Sequence, residues 1–387
     1  MDENSPLVSV VMTTYNHEKY IAEAINSVLN QSFTNFELII VNDGSTDRTD
    51  EIIKSFNNKR ITYIYQENQG TSAAVNRAIL ASQGKYIAFF SGDDVCNFNR
   101  LDQQFQYVSS HQYQIIFSGF EVIDDDSTII HDEKIENWFL TDNQQRSDII
   151  NNFFFRGNCL NAITSFVKRD YLLDVGLFNP CSIQAQDFDI WIKLIKKYDF
   201  LIISDKLVKY RIRNNNNNLS SFVNDVRRDF EIYQIYRSIF DDMPYNLFKK
   251  SFSQKLKKFD FQDGLEYELE KAFMYLNHSW NLIKIIGCEK LFTLLQDTQA
   301  LEVANKVYDF GLPQLYSLTK EIDFTNSLLL QNLERENQHI YANLQEVKDE
   351  LGDLQNQIQA MESSKFWKMK KAWTRCKDLF QKTKPSF

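Results

Sequence analysis

Asp93 and Asp94 stand side by side after Gly92, where the apolar run Tyr86 to Phe90 breaks off. That run is aromatic-rich, bounded by Gly84 and Gly92 and too short for a helix, which predicts a buried strand with both carboxylates on the loop at its C-terminal end. In an open α/β sheet ligands bind at that edge, and paired carboxylates there suit a divalent cation, Mn or Mg, that carries phosphate oxygens. A solvated acidic turn is the other reading, since Asp after Gly is ordinary turn chemistry. Two more loops have matching positions: Thr13 to Asn16 ends the run Leu7 to Met12, and Asn42-Asp43-Gly44-Ser45 closes Phe36 to Val41. Tyr15 offers a ring face for a base and Asp43 an acceptor for base or ribose donors. Taken singly, each also reads as a packed loop aromatic and a turn residue.

The elements that must position these loops follow from periodicity. Tyr20, Ile21, Ala24, Ile25, Val28 and Leu29 recur at helical spacing, Thr46-Asp47 supplies capping residues for a helix through Phe56, Ile61 to Tyr65 reads as a strand, and Gln69-Gly70-Thr71 opens a helix through Ala81. Four strands alternating with helices predict a parallel, doubly wound α/β sheet. Its geometry brings the three strand-end loops to one crevice.

The stretches VSVVMTTYNHEKYIAEAINSVLNQSFTNFELIIVNDGSTDRT, ENQGTSAAVNRAI and GKYIAFFSGDD, in this order across roughly residues 6 to 110, resemble the family 2 glycosyltransferases. The resemblance implies a GT-A (Rossmann-like), mostly parallel sheet and a nucleoside diphosphate sugar donor. It implies that Thr13, Tyr15 and Asp43 hold the nucleotide, Asp93 its ribose and diphosphate region, and Asp94 the metal. There are departures: Ser91 stands where many members have Asp, and Val75 where an Arg is often found, with Asn76 retained. Ser91 and Asn76 are carried as nucleotide-binding candidates, and diphosphate contacts must then lean on the metal and on basic groups elsewhere.

Further on, Phe98 to Val108 reads as a helix, Gln114 to Phe117 as a strand and Asp124-Asp125-Asp126 as a solvated hairpin turn. Asn151 to Phe166 corresponds to the part of the family that borders the acceptor. Gln186 to Leu194 carries apolar residues at helical spacing with Asp187 at its start, where an acid would complement the helix dipole. The resemblance instead maps the family's catalytic base onto Asp187, with Asp189 expected to point elsewhere. VKYRIR, residues 208–213, resembles the family's loop over the donor; Arg213 stands where members often have His, and Arg211 and Arg213 are candidates to clamp phosphate oxygens. The Asn run that follows reads as a flexible lid or an insertion.

The expected organisation is a transferase domain over 1–221, a helical appendage without chemistry over 222–324, a coiled coil over 325–362 and a basic amphipathic tail over 363–387. In the coiled coil Leu330, Asn337, Leu344, Leu351 and Ile358 take one seam position and Leu333, Ile340, Val347, Leu354 and Met361 the other, with Asn337 favouring a parallel homodimer through 330–361. In the tail Phe366, Met369, Trp373, Cys376 and Phe380 share a helix face opposite most of the lysines, a pattern suited to an anionic membrane surface.

The whole chain, 387 residues with net charge -9, is acidic, which argues against nucleic acid as a partner. Five scattered cysteines without metal-ligand spacing read as reduced. With no secretory signal and no apolar run of about 18 residues, the chain is expected to be soluble or peripheral; the cysteines point to the cytoplasm, and the basic tail with the family's common setting to the inner face of the plasma membrane.

The resemblance as a whole implies a metal-dependent inverting glycosyltransferase (a hexosyl- or N-acetylhexosaminyl-transferase) that moves a sugar, UDP-linked by expectation, to a saccharide or lipid-linked acceptor, in the surface polysaccharide or glycolipid synthesis that is the family's common setting. The rivals are a sugar-phosphate nucleotidyltransferase and a degenerate transferase domain serving as a coiled-coil adaptor.

Overall fold

The computed structural model describes residues 5–110, 112–213, 225–261, 264–322, 343–345, 347–348, 351 and 365–382. The chain divides into two compact units, Met1–Thr319 and Lys320–Phe387.

The first unit is built on a nine-stranded sheet. Strands β1 (Val8–Thr14), β2 (Phe36–Asp43), β3 (Ile61–Gln66) and β4 (Tyr86–Ser91) alternate with helices α1 (Ile21–Leu29), α2 (Thr49–Lys54) and α3 (Thr71–Ala81). They pair in the order β3-β2-β1-β4, all parallel. Each strand alternates its apolar side chains between two cores. Val8, Val10, Met12, Leu38, Ile40, Ala88 and Phe90 join the α1 side, whereas Val11, Ile39, Val41, Ile87 and Phe89 join the α3 side. Period-two burial on both faces is what a doubly wound sheet requires.

Beyond β4 the sheet is mixed rather than parallel. The chain continues through β5 (Val95–Cys96), α4 (Arg100–Ser110), β6 (Ile115–Ile123), β7 (Ile129–Ile130), α5 (Glu133–Trp138), α6 (Arg146–Arg156), β8 (Ser165–Lys168), α7 (Arg169–Asp174), α8 (Gln186–Ile195) and β9 (Leu201–Arg211). β8 inserts antiparallel between β4 and β6, β9 runs parallel to β6, and β5 closes antiparallel on β9. The expected strand at 114–117 is therefore the start of a longer one. The acidic turn is indeed the tip of the β6–β7 hairpin.

The helical segment continues as α9 (Asp225–Ser238), α10 (Tyr245–Phe252), α11 (Leu265–Leu276), α12 (Asn281–Leu294), α13 (Thr298–Tyr308) and α14 (Leu312–Glu321). No break in the core coincides with the expected boundary at 221/222. Phe153 and Phe154 of α6 share one apolar cluster with Tyr236, Phe240, Phe248, Phe252 and Tyr275. Tyr236 Oη donates to the carbonyls of Phe153 and Phe154 at 3.0 and 2.8 Å. Truncating a buried ring such as Phe154 would cost about 3–5 kcal/mol. A smaller cluster, including Leu269, Phe273, Leu291 and Phe310, sits among the later helices.

In the second unit the helix Lys365–Lys382 is formed, with Met369 and Trp373 exposed. The coiled-coil seam lies almost wholly outside the described residues. Its described fragments are helical, and Leu344, Val347 and Leu351 are exposed. The Asn run of the expected lid also lies outside them. Among the described residues no helix is long and apolar enough to cross a membrane.

Candidate active site

Register explains why three loops meet. Thr13 pairs with Val41 on one side and Ser91 on the other, so β1, β2 and β4 end level and their loops open on one cavity of about 1100 Å3. Thr13, Tyr15, Asp43, Ser91, Asp93, Asp94, Asp187, Arg211 and Arg213 all line it.

At the end formed by β1 and β2, Tyr15 is 44% exposed. Asn16 beside it adopts φ 55°, and its carboxamide oxygen accepts Thr46 N at 2.8 Å, tying the two loops together. Asp43 already accepts three bonds, from Gln66 Nε2 at 2.7 Å, Gln69 N at 2.9 Å and Gly70 N at 3.0 Å. It therefore shapes the loop into α3 while facing the cavity.

Asn76 is placed elsewhere. It exchanges two hydrogen bonds with the backbone of Phe178, Nδ2 to O at 2.8 Å and Oδ1 from N at 3.0 Å, and is absent from the cavity wall. The expectation that it binds nucleotide is corrected, because both ends of its amide clamp the loop at 178.

The two adjacent carboxylates differ. Asp93 accepts Ser91 Oγ on one oxygen, while Arg213 Nε lies 3.2 Å and His17 Nε2 3.7 Å from the other. Burial opposes its charge, yet His17 and Arg213 hold its pKa below the ordinary carboxylate value. Burial pulls His17 itself down, so Arg213 is the permanent counterion. Asp94 accepts Arg211 N at 2.8 Å, and burial together with the charge of Asp93 raises its pKa well above the usual value.

A buried carboxylate raised in this way, next to a second one on a cavity wall, fits a divalent cation with oxygen ligands. Among the described residues no group of three His, Cys, Asp or Glu could cage an ion alone. The set suits Mg or Mn, which take one or two carboxylates and complete their shell with phosphate oxygens and water. Gly92 is required by space: a Cβ there would lie 2.6 Å from Thr14 Oγ1 and 2.8 Å from His17 Nδ1, two buried atoms without a partner.

Arg211 belongs to strand β9, not to a mobile loop, and its guanidinium faces inward. Nε donates to Asp93 O at 2.7 Å, Nη1 to Asp124 O at 2.7 Å, and Nη2 to Glu23 Oε2 at 2.7 Å and Ser127 Oγ at 2.9 Å. With 1% exposure it is a strut between the aspartate loop and the hairpin, which corrects its assignment as a phosphate clamp. Arg213, 15% exposed at its side chain, keeps a place on the wall.

Across the cavity, Asp187 stands in the first turn of α8. Its Oδ2 accepts Asn158 Nδ2 at 2.8 Å and its Oδ1 accepts Phe188 N at 2.8 Å. Burial outweighs both bonds and pushes its pKa up to about 6. Asp189 turns away to Lys193, 2.6 Å distant. The loop before α8 is held from the helical segment: Glu231 of α9, 5% exposed, accepts the N–H groups of Ile183, Gln184 and Ala185 at 2.8 to 2.9 Å. Asn158 falls in the segment 151–166 expected to border the acceptor, whereas His17 and Glu231 carry no local pattern that marks them.

The comparisons fit this architecture. Residues 9–167 match the family model described as glycosyl transferase family 2. An uncharacterized glycosyltransferase of Methanocaldococcus jannaschii is 37% identical over 224 residues, covering 56% of this chain and 74% of that one. A Bacillus subtilis glycosyltransferase whose name places it in teichuronic acid biosynthesis is 30% identical over 214 residues, covering 54% of this chain and 81% of its own. Among solved structures, the crystal structure of S. aureus TarS 1–349 in complex with UDP-GlcNAc has a TM-score of 0.50 at 20% identity, covering 77% of this chain and 88% of that one. At that identity the likeness speaks for the fold. The chain belongs to glycosyl transferase family 2.

Proposed function

We propose that this chain transfers a sugar, with inversion, from a UDP-linked donor to an acceptor hydroxyl, with Asp187 as the base. The observation that carries the reading is geometric: the Asp187 carboxylate, oriented by Asn158, lines the same cavity as the Asp93–Asp94 pair, and burial pushes its pKa up to about 6. A base poised near neutrality can take the acceptor proton as the oxygen attacks. In one displacement the acceptor oxygen forms its bond to the anomeric carbon, the bond from that carbon to phosphate breaks, and the nucleoside diphosphate leaves with the electron pair. Tyr15 and Asp43 receive the base, Thr13, Ser91 and Asp93 the ribose and diphosphate region, and Arg213 a phosphate oxygen. A divalent ion held by Asp94 would supply charge neutralisation for the departing diphosphate.

Uridine as the base is supported by the UDP-GlcNAc complex of the structural neighbour, and a polysaccharide acceptor by the name of the Bacillus subtilis relative. Calorimetric titration with UDP tests the donor half. Binding that strengthens with Mn2+ in the intact protein, and no longer does so in Asp94→Ala, is the expected result; absence of UDP binding in the intact protein would favour an adaptor role instead.

The heptad pattern of 330–361 supports a parallel homodimer, and the charge and aromatic pattern of 363–387, with Lys365–Lys382 helical, supports contact with an anionic membrane surface. Both are part of the proposal, as is a site of action at the inner face of the plasma membrane.

A further inference from the structure

The helical segment after β9, expected to carry no chemistry, supplies part of the cavity wall. Arg227, Arg228 and Ile232 of α9 and Trp280 before α12 line it, together with Trp138 of α5 and Arg156 of α6. The two indoles are 45% and 42% exposed, although Trp is ordinarily well covered. Trp138 is held in place: its Nε1 donates to Asn158 O at 2.6 Å, and Arg156 Nη2 donates to Trp138 O at 2.9 Å. Asn158 in turn donates to Asp187. An aromatic ring hydrogen-bonded to the base's own partner is where the face of a sugar next to the reacting hydroxyl would rest.

Charge decides what kind of sugar. Helices α6 and α9 contribute three guanidinium groups to the wall, Arg156, Arg227 and Arg228. Asp229 lies 3.2 Å from Arg228, and Glu231 is engaged by three backbone N–H groups; the acids of the wall, Asp43, Asp93, Asp94 and Asp187, come from the strand-end loops and the start of α8. Guanidinium groups recognise carboxylate and phosphate oxygens through paired, charge-assisted hydrogen bonds. A neutral saccharide would desolvate them without replacing those bonds. We infer that the acceptor is an anionic saccharide, its ring seated on Trp138 and Trp280 and its acidic group bound by Arg156, Arg227 and Arg228. This assignment rests on the transferase reading above and makes α9 and the residues before α12 the determinants of acceptor choice.

The test uses the intact protein, with UDP and Mn2+ present, and three disaccharides: maltose, digalacturonate and maltose 1-phosphate. Tryptophan fluorescence or calorimetry reads the affinity. At least one anionic probe should bind about tenfold more tightly than maltose, as expected for one or two hydrogen bonds to a charged group, and the carboxylate and phosphate arms separate the two sources of charge. In Arg227→Ala/Arg228→Ala, both exposed enough to be changed without harm to the core, that preference should shrink to about twofold, while UDP affinity stays as it was. Trp280→Phe should keep sugar binding and Trp280→Ala lose it. Equal affinity for the three probes, no binding of either anionic probe at millimolar concentration, or a preference that survives the double variant would overturn the inference. Failure of UDP itself to bind would instead count against the transferase reading.

Discussion

Asn158 Nδ2 donates to Asp187 Oδ2 at 2.8 Å, from a loop 29 residues earlier in the chain, and this bond orients the carboxylate proposed as base. It also stabilises the charged form, against the burial that pushes the pKa up to about 6. The protonated carboxyl cannot accept a proton, so kcat/KM should fall as pH drops through about 6. Asn158→Ala removes a bond to the charged form and should move that acid limb upward by roughly one pH unit. A pH–rate profile checks it, and an unmoved limb would show that the Asn158 bond does not tune the acid.

Donor affinity should separate the two arginines that sequence treats alike. Arg211→Ala strips bonds from Asp93 O, Asp124 O and Glu23 and should destabilise by about 2–4 kcal/mol in urea unfolding. Glu231→Ala, which leaves three backbone donors without their acceptor, should lose about 3 kcal/mol. Arg213→Ala takes the counterion from buried Asp93 and should also destabilise, by about 2–4 kcal/mol, but it should in addition weaken UDP binding about tenfold, which Arg211→Ala should not do directly. Donor affinity intact in Arg213→Ala and lost in Arg211→Ala would reverse these roles.

Much of this site was readable because its signals are local. The loops after β1, β2 and β4 each follow a short apolar run, and parallel order alone brings Tyr15, Asp43 and Asp93 to one edge. Arg211 was misread because a charged residue in VKYRIR looks like loop chemistry. Its burial depends on β9 pairing with β6, some ninety residues earlier, and on partners as distant as Glu23. Asn76 kept the family's residue at the family's position, yet its amide is satisfied by Phe178, 102 residues away. Glu231 lies in a helix, and Trp280 just before one, whose patterns report only packing. Their approach to the cavity follows from Phe154 gathering α6, α9 and α10 into one core.

The C-terminal proposals are tested together. Removing Leu330 onward should turn a dimer into a monomer by light scattering. Removing only 363–387 should abolish sedimentation with anionic liposomes at low salt and leave the dimer intact. A full-length monomer, or equal sedimentation of both proteins, would contradict the respective assignment.

Asp187→Asn tests the central claim most directly. The substitution keeps shape and a hydrogen-bonding end toward Asn158 but removes the basic oxygen. Donor binding should stay within about twofold of the intact protein while turnover falls by about 10²–10⁴, the usual contribution of a positioned base. Turnover within a few-fold of the intact protein would contradict the assignment of Asp187 as the base.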